Sequence, residues 1–105
     1  MSKQLKTLDV TEITVPDAGT VATRALTANS LREHLMVKYE GSNFYVGYGD
    51  EPTGTAAAIK AAMTLIDADY SGDFWDFAGM PRAEVWFYQD NGGGNLTVKV
   101  REGSA

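Results

Sequence analysis

Apolar and polar positions alternate with a period of two along most of the chain, most clearly in two adjoining runs. In residues 31–40, Leu31, Glu33, Leu35, Val37 and Tyr39 oppose Arg32, His34, Met36 and Lys38. In residues 43–49, Phe44, Val46 and Tyr48 oppose Asn43, Tyr45, Gly47 and Gly49. Strand side chains alternate between faces, so each run can turn one apolar face to a core. Glu40, Gly41, Ser42 and Asn43 between them suit a tight turn. The pair is predicted as an antiparallel hairpin around which the rest of the chain is organised.

The same pattern recurs on both sides. Residues 10–15 alternate and stop at Pro16, and Pro16, Asp17, Ala18 and Gly19 carry turn chemistry. Residues 20–26 follow as a strand, because Thr and Val are β-branched. Near the end, Ala83, Val85, Phe87 and Gln89 oppose Glu84, Trp86 and Tyr88, and Leu96, Val98 and Val100 oppose Thr97, Lys99 and Arg101. Asp90, Asn91 and three glycines between them predict a second hairpin. Residues 67–73 and 78–81 are expected as loops. Residues 56–62 are alanine-rich and fit either one short helix capping an end of the sandwich, the preferred reading, or an extended segment leading into residues 63–66. Seven to eight short strands, with a turn every ten residues or so, make an all-β sandwich or barrel. The expected domain spans 8–102, with an arm at 1–7 and a tail at 103–105.

Composition narrows the chemistry. A chain of 105 residues is one domain and can bury a core without staples. With no cysteine it has neither disulfides nor thiolate ligands. Nine basic residues against fourteen acidic ones leave a net charge of -5, with no basic block, which argues against nucleic acid as the main partner. No apolar run is long enough to span a membrane, and the first residues lack the apolar stretch of a signal peptide, so synthesis in a cytoplasm is expected.

Candidate chemistry is sparse. Asp67, Asp69, Ser71 and Asp73 alternate around Gly72 like the start of a calcium loop. The closing carboxylate is replaced by Ala78, so an Asp/Ser/Gly turn is the preferred explanation and no cofactor is assigned. A single histidine, His34, offers no zinc set, and no nucleophile elbow is present, so the chain is read as non-enzymatic. The glycines at 92–94 precede a strand rather than a helix, so they are not a phosphate cradle.

Aromatics are the remaining signal. If Phe87 faces the core, Trp86 and Tyr88 face outward together, as an interface anchor or a sugar-stacking platform. The alternative is that the alanine-rich segment covers that face. Trp75, Trp86, Tyr88 and Tyr48 are the candidate partner-binding residues.

Val37, Gly41, Ser42, Asn43, Tyr45, Val46, Gly47, Gly49 and Thr53 form a pattern that resembles small virion proteins of tailed bacteriophages. Residues 15–35 and 96–103 extend it loosely. The resemblance implies a β-sandwich or jelly-roll-like virion component, such as a head decoration (cement) protein. Its partners would be the major capsid protein or other virion proteins, and it would act as a homo-oligomer, a dimer or trimer. A carbohydrate-binding module, free or in a tail apparatus, is the alternative. A connector or tail-completion role shares the same composition.

Overall fold

The computed structural model describes residues 7–17, 21–39, 43–66, 70–73 and 82–104, with the backbone alone at 7–10, 39 and 70–73. Among the described residues there are eight strands and one helix: β1 (Thr7–Val15), β2 (Thr23–Leu26), β3 (Arg32–Tyr39), β4 (Phe44–Tyr48), α1 (Ala56–Ala61), β5 (Thr64–Ile66), β6 (Tyr70–Asp73), β7 (Val85–Tyr88) and β8 (Leu96–Ser104). All pairings are antiparallel, in two four-stranded sheets. The first has the order β1-β8-β3-β6 and the second β2-β7-β4-β5.

First pairs with last, second with seventh, third with sixth and fourth with fifth, and successive pairs fall in alternate sheets. That is one long hairpin rolled on itself, a jelly roll. The all-β expectation holds, and α1 lies where the helix was expected, inserted at the tip of the roll between β4 and β5.

Neither predicted hairpin forms. β3 and β4 lie in different sheets, as do β7 and β8, so both connections cross the sandwich. Alternation demands only that each strand turn an apolar face inward. Two strands facing each other across a core meet that demand as well as two paired side by side.

The core is made of those inward faces. Val15, Leu35, Val37, Val98 and Val100 from the first sheet meet Ala25, Phe44, Val46, Ile66, Val85 and Phe87 from the second, all buried. Phe44 and Phe87 pack edge to face, ring centroids 5.4 Å apart at 85°.

Three boundaries also move. Residues 70–73, expected in a loop, form β6 and pair with β3. The β1–β8 ladder runs to Thr7 opposite Ser104, so neither Thr7 nor Ser104 belongs to an arm or tail. A register shift between Arg32 and His34 then carries Arg32 off the outer face.

Arg32 is fully buried at the end of the roll where β3 begins. Its Nε donates to Glu102 Oε2 at 2.6 Å, Nη2 to the Thr27 carbonyl at 2.8 Å and Nη1 to the Ala83 carbonyl at 3.1 Å. Asn29 joins the same knot, its Nδ2 donating to Ser104 Oγ at 2.8 Å. At the opposite end, buried Gln89 donates from Nε2 to the carbonyls of Val15 and Gly94. One buried polar side chain thus donates to several backbone carbonyls where chain crossings meet at each end.

Candidate functional site

The two outer sheet faces differ, and the difference begins with α1. Thr55 caps the helix, its Oγ1 accepting from the Ala58 N–H at 3.2 Å. Ile59 is the helix's one fully buried side chain. The surrounding alanines let the helix approach closely, and Ile59 packs with Ala22, Trp86 and Tyr88, with Tyr45, Ala56 and Met63 around them. Lys60 closes the arrangement by donating to Asp90 Oδ2 at 2.9 Å. That bond raises the Lys60 ammonium pKa above its ordinary value.

The helix corrects the expected exposure of two candidate residues. Trp86 is 6% exposed and Tyr88 1%, so both lie in a second small core rather than on a surface. The indole N–H of Trp86 donates to the Gly49 carbonyl at 2.9 Å. The motif glycines serve this layer. A Cβ on Gly47 would stand 3.1 Å from Met63 Cγ, and Gly49 takes φ +96°, which side-chain-bearing residues rarely adopt.

Burial pushes the Tyr88 phenol above its ordinary pKa, and the nearby Asp90 charge adds to it. A raised native pKa means that the unfolded chain loses this proton first. The stability held by neutral Tyr88 is therefore complete below pH 10, the ordinary value, and falls as pH rises through the native pKa. Alkaline titration followed by tyrosinate absorbance should show one tyrosine that ionises late. Urea midpoints should fall over the same range, and less so in Tyr88→Phe. A midpoint equally pH-dependent in Tyr88→Phe would remove the assignment.

Tyr48 is the candidate that stays at the surface, 42% exposed at the end of β4. Trp75 lies outside the described residues, as do Asp67 and Asp69. Among the described residues, Trp86 and Tyr88 do not form the expected outward aromatic pair. Ser71 and Asp73 fall within β6, in register with Lys38 and Met36. No group of three potential metal ligands occurs among the described residues. None of the described helices is long and apolar enough to cross a membrane.

Among the described residues no helix packs on the outer face of the first sheet, and Lys38, Thr97, Lys99 and Arg101 are exposed there. Its middle strands display Met36 and Lys38 on β3 and Thr97, Lys99 and Arg101 on β8. Register places Lys38 directly opposite Lys99 and Met36 opposite Arg101. A shallow cleft of about 90 Å³ lies between them, lined by Met36, Lys38, Lys99, Val100 and Arg101. Periodicity had put these side chains outward; that they converge depends on which strands pair.

Together, fold and surface define a jelly-roll sandwich in which α1 covers Trp86 and Tyr88 on one outer sheet face, while no described helix covers the other. No family model, curated protein or solved structure matches the chain.

Proposed function

We propose that this protein is a non-enzymatic structural component of a tailed-bacteriophage virion, a decoration protein that stabilises the assembled head by binding across capsomers. The observation that carries the reading is the asymmetry of the two sheet faces. A rolled sandwich whose one outer face is packed under α1 leaves the outer face of the first sheet, with Lys38, Thr97, Lys99 and Arg101 exposed, as the described surface for a partner. Jelly rolls serve both as capsid parts and as lectins, so the fold alone does not choose. The Tyr45, Val46, Gly47, Tyr48 and Gly49 stretch, which resembles small phage virion proteins, favours the capsid role. The glycan alternative loses Trp86 and Tyr88 as a stacking platform, because α1 covers both rings.

A protein that binds the lattice but not its free subunits stabilises the lattice by mass action. In co-sedimentation with empty shells, saturation at a fixed number of copies per capsomer is expected, with light scattering giving the mass of the free protein. Absence of saturable binding would overturn the proposal. So would a tryptophan emission change on titration with polysaccharide, which would return the glycan reading.

A further inference from the structure

The described cations divide into two groups. Arg24 pairs with Glu84, Arg32 with Glu102, Lys60 with Asp90 and Arg82 with Glu33. Lys38, Lys99 and Arg101 have no carboxylate partner among the described residues, and these three share one patch on the open sheet face. Glu12 stands opposite Lys99 on β1 without forming an ion pair.

The arrangement also works against folding. Like charges directly opposite on paired strands are destabilising, and Lys38 faces Lys99 in that position. Between these cations and Arg101, Met36 and the aliphatic stems of the basic residues make an apolar floor. The cleft thus offers a carboxylate charge-assisted partners and its methylenes a dry wall.

We infer that the patch formed by Lys38, Lys99, Arg101 and Met36 is a docking surface for an acidic protein segment, one that presents Asp or Glu side chains. Charge complementarity selects this occupant. A second copy placed face to face across a two-fold axis would set cations against cations, which disfavours an isologous dimer through this patch. Nucleic acid is disfavoured because three cations neutralise few phosphates, while the chain's net charge repels a polyanion. The inference rests on the decoration reading for which protein carries the acidic segment.

The first test is an NMR titration of the full chain with a short poly-glutamate peptide, with poly-glutamine and a single-stranded oligonucleotide as controls. Shifts are expected at the amides of Met36, Lys38, Lys99 and Arg101 with poly-glutamate alone. Binding should weaken about tenfold when salt rises from about 50 to about 300 mM. It should vanish in a Lys38→Gln/Lys99→Gln variant, whose Tm should rise by about 2 °C as the like-charge pair is relieved. Shifts located elsewhere, equal response to poly-glutamine, or tighter binding of the oligonucleotide would each overturn the inference.

Shell co-sedimentation then separates the two readings. Saturable shell binding that Lys38→Gln/Lys99→Gln leaves unchanged would overturn the acidic-docking inference and leave decoration standing. Poly-glutamate binding at the patch without shell binding would support the surface and remove the decoration role.

Discussion

Replacing Arg32 by alanine should cost about 3–5 kcal/mol of folding stability, the range for breaking a buried ion pair by removing one partner. The guanidinium is fully buried and ties three parts of the chain together: Glu102 on β8 and the carbonyls of Thr27 and Ala83. Without it, Glu102 keeps only Asn29 of its neighbours in the knot, and two carbonyls lose a donor, each worth about 1–3 kcal/mol if left unsatisfied. Small domains have about 5–15 kcal/mol in total, so the variant should sit close to unfolding. Arg32→Lys should recover little, because an ammonium cannot reproduce the planar fork that reaches three acceptors. Urea or guanidinium midpoints would measure both variants. A loss below about 1 kcal/mol would mean that water already shares these groups.

Trp86→Ala should cost about 3–5 kcal/mol, as much as truncating a core aromatic, although a surface anchor would cost almost nothing. Trp86 and Phe87 are adjacent on β7 and point to opposite faces, yet both are buried: one packs under α1 and the other in the sandwich core. Phe87→Ala should therefore match it. Trp86→Phe should lose about 1 kcal/mol for the bond to the Gly49 carbonyl. In a Trp75→Phe background the remaining indole, Trp86, should emit as a buried chromophore, and Ile59→Ala should shift that emission to the red. A Trp86→Ala protein of wild-type stability that no longer bound its partner would put Trp86 back on the surface.

Both predictions fall where one-dimensional reasoning stops. The run Val85–Tyr88 has no polar position, which signals a strand buried on both faces. Reading the outer pair Trp86 and Tyr88 as exposed required that nothing cover them. The cover was present in the alanine-rich segment, whose single large apolar residue, Ile59, sits among small ones suited to close approach. The displacement of Arg32 had no such trace. It depends on a register shift against β8, and nothing near residue 32 encodes that.

The positions of β1 to β4, β7 and β8, the inward residues Leu35, Val37, Val46, Phe87, Val98 and Val100, and the short helix follow from local pattern, because a period of two and alanine's helix propensity are properties of neighbouring residues. β6 does not, since only its pairing with β3 makes it a strand. Pairing is different. Whether residues 31–39 run beside 44–48 or across the core from them depends on contacts between strands distant in the chain, and both arrangements bury the same side chains. The folded roll chose the crossing. It thereby set Lys38 against Lys99, withdrew Trp86 and Tyr88 beneath α1, and left Lys38, Lys99 and Arg101 exposed on the other sheet.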